Sequence, residues 1–165
     1  MNDEMLKLEK LGLNQAKLAA YQVLCLPENI FSDPTPNELL EPSDAIALGK
    51  LLKAAGVKCG TAFDLGLQTA IFERRADDKW LSVIWIRDKV AIPTVVTVIG
   101  GLILAGIEAE MKSAKVKPSP QVHLELYIDK NNGVSKLSYN GDGETLLKVL
   151  KSLEEPTNDP GSSSK

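Results

Sequence analysis

An apolar run of eighteen residues without a charge, from Val90 to Ile107, most constrains what this chain can fold into. Its length meets the lower limit for crossing a hydrocarbon core of about 30 Å, so a membrane span and a buried helix are both admissible. Pro93 stands where a helix would begin, and on a helical wheel Thr94, Thr97 and Gly101 fall on one side. The other sides are widely apolar, which is typical of a helix that lies on a sheet.

The segments on either side of this run decide between the two structures. WLSVIWIR, residues 80–87, comes before it, and VHLELYID, residues 122–129, comes after it; both have the composition of β-strands. A helix that connects two strands of one sheet cannot also leave for a bilayer. We therefore predict an apolar helix over about 93–115 that packs on the sheet, with membrane insertion of residues 91–107 as the alternative.

The two flanking strands differ in their apolar pattern. Segment 80–87 is apolar on both faces, which indicates a strand covered on both sides. By alternation, one face carries Leu81, Val83 and Trp85, and the other face carries Ile84 and Ile86. Segment 122–129 alternates cleanly, so we predict one buried face and one solvated face. The solvated face would carry His123, Glu125 and Tyr127.

The remaining segments complete an α/β (α+β) fold, in which helices flank a mixed sheet. Residues 43–56 predict a helix that Ser43 caps and Gly56 ends. The proline-containing residues 28–42 predict an irregular connection. Asn131 to Gly133 predict a turn between two strands of a hairpin, and Asp142 predicts the cap of a final leucine-rich helix.

Length and composition predict one domain with a short tail. The chain has 165 residues, of which 44% are apolar and 25% charged, as in an ordinary globular domain. We assign residues 1–153 to this domain and residues 154–165 to a disordered tail, because the tail has nothing to bury. The tail supplies −2 of the formal charge of −3 and leaves a body near −1. A body without a concentrated basic face does not predict nucleic-acid binding.

No arrangement of residues points to catalysis, a metal or a cofactor. Cys25 and Cys59 lie 34 positions apart without a nearby histidine, which suggests neither a zinc site nor a disulfide framework and favours a reduced intracellular chain. His123 is the sole histidine. Together with Glu125 it could supply two metal ligands, but no further histidine or suitably placed cysteine completes a coordination set. It could also act as a catalytic base, but the sequence indicates no nucleophile for it. The glycines before the last helix lack the GxGxxG and GK[ST] patterns of phosphate sites.

The densest polar cluster, FERRADDKW, is the candidate partner-binding segment. Arg74 and Arg75 can fork onto a carboxylate or phosphate, and Trp80 can anchor a partner surface. Asp77 and Asp78 complete the cluster. The alternative is a charged hairpin turn, between strands at 69–75 and 80–87, whose ions pair among themselves.

The order of these elements resembles a family of small bacterial proteins. The resemblance covers about residues 70–153 and rests on the order of the segments. ERRADDKW comes first, followed by an apolar strand and an apolar helix that begins at a proline. VHLELYID follows, and a YxGDxET turn then leads into a leucine-rich helix. In this order the chain resembles accessory proteins of conflict and anti-phage systems, of the effector-associated-component type. The resemblance implies an accessory or regulatory role beside an effector encoded nearby, and it carries over no catalytic residue.

Together these features predict a cytoplasmic, non-enzymatic interaction or regulatory module whose partner is another protein. We expect no catalytic residue, metal or cofactor. The alternative function is a small membrane-anchored protein that inserts residues 91–107 and self-associates through Gly101 and Ala105.

Overall fold

The computed structural model describes residues 3–32, 38–72, 78–112, 121–130 and 133–154. The helices are α1 (Asp3–Lys10), α2 (Gln15–Leu18), α3 (Ser43–Ala54), α4 (Ile92–Lys112) and α5 (Gly143–Glu154), and a 3₁₀ turn (Lys89–Ala91) leads into α4. The strands are β1 (Val23–Leu26), β2 (Leu40–Pro42), β3 (Cys59–Gly60), β4 (Ala70–Phe72), β5 (Asp78–Ile86), β6 (Gln121–Lys130) and β7 (Gly133–Asp142).

A five-stranded mixed sheet in the order β3-β1-β5-β6-β7 forms the centre of the molecule. β1 is parallel to β3 and antiparallel to β5, while β5 is parallel to β6 and β6 antiparallel to β7. A second, two-stranded sheet pairs β2 with β4 in parallel. The predicted α/β class with a mixed sheet and flanking helices is confirmed.

Helix α4 is the connection between the parallel neighbours β5 and β6. Parallel strands need such a crossover, and its helix packs back onto the sheet. Among the side chains of α4 that the structure describes, Val95, Val96, Ile99 and Ile103 are buried. Thr97 and Gly101 are exposed, as the small and polar side of the helix predicted. The sheet-packed helix is thus confirmed, and none of the helices among the described residues combines the length and hydropathy of a membrane span.

The sheet is covered on both faces, and the described residues form an apolar cluster on each face. On one face, α3, α4 and α5 pack over side chains from β1, β5 and β6, among them Val23, Ile84 and Leu126. On the other face, α1, α2 and nearby connecting segments pack over Leu24, Trp85 and other side chains of the same strands. Strand β5 contributes to both clusters, which confirms that it is covered on both sides.

Two expectations about the connections were wrong. β4 pairs with β2 and lies in a different sheet from β5, so segments 69–75 and 80–87 do not form a hairpin. The proline-containing residues 28–42 also contain strand β2, because Leu40 to Pro42 find a parallel partner in β4. Only tertiary contact supplies that partner.

The helix ends follow the sequence in part. Asp142 caps α5, since its carboxylate accepts hydrogen bonds from the Thr145 amide and hydroxyl at 3.0 Å each. Gly56 has the left-handed conformation, φ +92°, expected after a helix end. The cap at Ser43 was wrong: Pro42 holds the N-cap position, and Ser43 is the first helical residue.

One face of β6 is less solvated than its alternation predicted. His123 and Glu125 are partly exposed, but Tyr127 is buried. Phe31 covers the Tyr127 ring edge-on, with 5.1 Å between the ring centroids, and Trp85 lies beside it at 5.7 Å. The N-terminal layer therefore extends over the end of this face that carries Tyr127. The proposed boundary at residue 153 stays a prediction, and residues 155–165 lie outside the described residues.

Candidate functional site

Three neighbouring strands each place one ring or amide side chain in a row on the same face of the sheet. Trp80 of β5 and His123 of β6 are cross-strand neighbours, and Asn140 of β7 is the neighbour of His123. The Trp80 and His123 rings stack with 3.8 Å between centroids and 18° between planes. We call this row of Trp80, His123 and Asn140 the Trp80 platform.

The His123 ring is held from its edge as well as its face. Its Nδ1 lies 2.5 Å from Asn140 Oδ1. This hydrogen bond joins β6 to β7 across the exposed edge of the row. The imidazole is thus fixed in orientation by two side chains and supports the indole.

A β-bulge in β5 turns Trp80 onto the platform face. The pairing with β6 shifts register between Trp80 and Ser82, and Ser82 has a left-handed φ of +67°. The bulge reverses the alternation, so Leu81 packs with Ile84 and Ile86. This corrects the expected grouping of Leu81 with Val83 and Trp85. A bulge of this kind commonly re-aims a side chain.

Two hydrogen bonds hold the bulge in place. The Ser82 hydroxyl donates to the Leu26 carbonyl at 2.7 Å in a buried position. The Trp80 amide donates to a carboxylate oxygen of Asp44 at 2.9 Å. Asp44 lies in the first turn of α3, where a carboxylate also suits the helix dipole. The position of Trp80 thus depends on a strand, a helix and a strained serine.

The platform borders a small cavity with an acidic rim. The cavity has a volume of about 160 Å³, and Glu28 and Glu125 are among the residues that line it. Lys136 of β7 lies 3.5 Å from the Glu125 carboxylate, and the Tyr127 hydroxyl donates to the same oxygen at 3.3 Å. Burial, and then the charge of Glu125, raise the pKa of Tyr127, so this hydroxyl stays protonated.

The Trp80 platform presents an ordered aromatic surface. His123 stacks on Trp80 and is hydrogen-bonded to Asn140. Within the described ranges, no three His, Cys, Asp or Glu side chains come together as a metal site. A rigid aromatic surface beside carboxylates can bind a partner group, including a cation over the indole face.

The structure shows part of the predicted partner-binding segment. Arg74, Arg75 and Asp77 lie outside the described residues, so their role stays a prediction. Asp78 is the first residue of β5 and is paired with Gln121, while Trp80 is partly buried in the platform.

Sequence reasoning missed His123 and Asn140 as neighbours of Trp80. The sequence predicts His123 on a solvated strand face, and nothing local in the sequence indicates the parallel register of β5 and β6 that brings it beside Trp80. The predicted hairpin of β6 and β7 does indicate that His123 and Asn140 lie on neighbouring strands, which the structure shows as a direct cross-strand pair.

The two cysteines form a close pair away from the platform. Cys25 of β1 and Cys59 of β3 are free thiols with 3.3 Å between the sulfur atoms. The hydrogen bond with Cys59, and then burial, raise the pKa of Cys25. The same hydrogen bond, joined by the charge of Lys53 and opposed by burial, lowers the pKa of Cys59.

The chain was compared with protein-family models, curated proteins and solved structures. No protein-family model, curated protein or solved structure matches the chain.

Proposed function

We propose that this protein is a non-enzymatic interaction module and that the Trp80 platform is its contact surface. The observation that supports the proposal is the Trp80–His123 stack, held on a sheet face by a strained bulge. Backbone strain of this kind is retained more often at functional positions than elsewhere. In sequence, the platform also follows directly after the arginine and aspartate cluster of residues 74–78.

The energetics of association favour an anchor that is already ordered. Large aromatic residues contribute most to the affinity of many interfaces. Ordering a side chain on binding costs about 0.5 to 1.5 kcal/mol, and the stack with His123 already restricts the Trp80 ring. A partner that covers the indole therefore gains apolar contact without much of this cost.

The charges at the platform favour a partner that presents a basic side chain. Glu28 and Glu125 line the adjacent cavity, and the indole face of Trp80 attracts cations. Lys136 pairs with Glu125 through an exposed contact of 3.5 Å, which a cation of the partner can replace. An arginine or lysine of the partner would lie over the ring with its charge toward these carboxylates. The protein would thus recognise a basic, partly apolar segment.

The accessory role rests on the resemblance to effector-associated components of bacterial conflict systems. We propose that the partner is an effector encoded beside this protein and that the module regulates it. The interaction itself would be the activity, since the platform offers contact and positioning.

The test is a binding measurement against the product of each adjacent gene. The wild-type protein is compared with Trp80→Ala and with Asn140→Arg, which places a bulky charge on the exposed end of the platform. Lys148→Ala, exposed on α5, is the matched control. We expect both platform variants to raise the Kd at least about tenfold, as loss of an interface anchor does, and the control to leave it unchanged.

Circular dichroism of each variant separates a lost contact from a lost fold. If a partner is found and both platform variants, still folded, bind it with the wild-type Kd, the platform is not the contact surface. If no adjacent gene product binds, the proposed accessory role is wrong.

The membrane-anchored alternative has less support. The side chains that would face lipid, such as Val95 and Ile99, lie inside the cluster between α4 and the sheet. Insertion would remove the crossover between β5 and β6.

A further inference from the structure

A second cavity, larger and more apolar than the one at the platform, lies between α3 and the two-stranded sheet. It has a volume of about 450 Å³ and shares no lining residue with the platform cavity. Its apolar walls come from Ile46, Phe63, Leu67 and Ile71. Phe63 is 88% exposed and Ile71 is 63% exposed, so apolar surface continues out of the cavity. Cavities of this size and character are typical of small-molecule sites.

A carboxylate is buried in this apolar surface. Glu41 of β2 lines the cavity and is only 7% exposed. One of its oxygens accepts a hydrogen bond from the Thr69 hydroxyl at 3.0 Å. Glu41 thus keeps a carboxylate oxygen that a molecule in the cavity can contact. A carboxylate in mostly apolar surroundings is costly unless donors or a cation pair with it, so a cation in the cavity would be stabilised beside Glu41.

The lysines at the cavity do not satisfy this carboxylate. The Lys53 ammonium lies 2.6 Å from Asp64, which compensates its charge. Lys50 is exposed on α3, where solvent screens its charge. Glu41 is therefore the buried charge that a ligand meets among the described lining residues.

We propose that this cavity binds a small molecule that joins an ammonium group to an apolar body. The ammonium donates to the second oxygen of Glu41, and the apolar body contacts Phe63 and Ile71. This site is independent of the platform, so either proposal can fail without the other.

Three probes that share one aromatic body test the chemistry of the ligand. Phenethylamine carries the ammonium, 2-phenylethanol a neutral donor and 3-phenylpropanoate a carboxylate. Amide chemical shifts of the ¹⁵N-labelled protein report both affinity and location. We expect phenethylamine to bind most tightly and to shift the amides of Phe63, Thr69 and Ile71.

Variants identify the groups that hold the probe. Glu41→Gln keeps the acceptor for Thr69 and removes the charge, so we expect it to weaken phenethylamine binding at least about tenfold, as loss of a charged hydrogen bond does. Phe63→Ala, an exposed position whose replacement leaves the core intact, should also weaken binding. Glu144→Gln on the exposed face of α5 should leave it unchanged.

Three results would overturn the proposal. One is that phenylpropanoate binds as tightly as phenethylamine, since the lysines would then govern the site. The second is that Glu41→Gln, folded as the wild type is, binds phenethylamine equally well. The third is the absence of shifts at Phe63, Thr69 and Ile71 with saturating phenethylamine.

Discussion

Ser82 holds a left-handed backbone conformation in the middle of a strand, where the conformation costs an L-residue about 1 to 2 kcal/mol. Its hydroxyl donates to the Leu26 carbonyl, and this buried hydrogen bond offsets part of that cost. The register shift that results places Trp80 on the platform. One serine therefore connects the core of the protein to its candidate contact surface.

Glycine and alanine at this position separate the strain from the hydrogen bond. Both Ser82→Ala and Ser82→Gly lose the hydroxyl. The left-handed φ remains unfavourable for alanine but is favourable for glycine, which has no side chain. We expect the glycine variant to have the larger free energy of unfolding, by about 1 kcal/mol, in urea titrations. At Ser138, an exposed position of β7, the order should reverse, because alanine is favoured over glycine in an ordinary strand by about 0.5 to 1 kcal/mol. Greater stability of alanine at both positions would contradict the bulge.

Glu41 makes stability depend on pH. Burial raises its pKa above the usual range, against the effect of the Thr69 hydrogen bond. The folded state then binds more protons than the unfolded state between the two pKa values, so the free energy of unfolding falls as pH rises through this window. We expect Glu41→Gln to remove this fall and to be more stable than the wild type at neutral pH. Denaturant titrations of both proteins from about pH 4 to pH 8 measure it; parallel curves would contradict it.

At the scale of elements, α4 shows how a segment apolar enough to suggest a membrane becomes the crossover of a sheet. The apolar surface of α4 extends around much of the helix because α4 contacts the sheet as well as α3 and α5. Pro93 lies in its first turn, where a missing amide proton costs nothing. Among the described side chains, the exposed side of α4 carries Thr97 and Gly101 together with Leu104.

Substitutions on the two sides of α4 should differ strongly. Ile99→Ala removes a fully buried side chain and should lower the free energy of unfolding by about 2 to 5 kcal/mol. Leu104→Ala, on the same helix and 51% exposed, should lower it by less than about 1 kcal/mol. Equal losses in denaturant titrations would mean that α4 is not packed on the sheet in this orientation.

At the scale of the whole molecule, one strand joins two layers. β5 supplies Ile84 and Ile86 to the cluster under α3, α4 and α5, and Val83 and Trp85 to the cluster under α1 and α2. A change in either cluster therefore acts on the same strand. We therefore expect the two layers to unfold as one cooperative unit.

Unfolding should accordingly be two-state. Leu8→Ala, in the buried side of α1, and Ile99→Ala should each move the whole transition to lower denaturant concentration. Far-UV circular dichroism and tryptophan fluorescence, which is sensitive to Trp85, should give coincident curves. A separate early transition in Leu8→Ala would show that the N-terminal layer unfolds on its own.

The sequence by itself determined the elements whose local pattern has one solution. The apolar period of α4, the alternation of β6, the cap at Asp142 and the left-handed end at Gly56 all depend on near neighbours along the chain. These patterns were sufficient for the α/β class with a helix packed on a mixed sheet. Among the candidate site residues, they singled out Trp80 as an anchor but gave it no neighbours.

The tertiary structure decided what depends on residues far apart in the chain. β4 finds its partner in β2 and not in β5, because register and neighbour choice follow from packing and not from strand propensity. The stack of Trp80 on His123 requires the crossover through α4 and the bulge at Ser82. The cavity at Glu41 likewise draws its walls from α3, β4 and the segment between β3 and β4. Such contacts join residues with no shared local pattern, so only the folded chain brings them together.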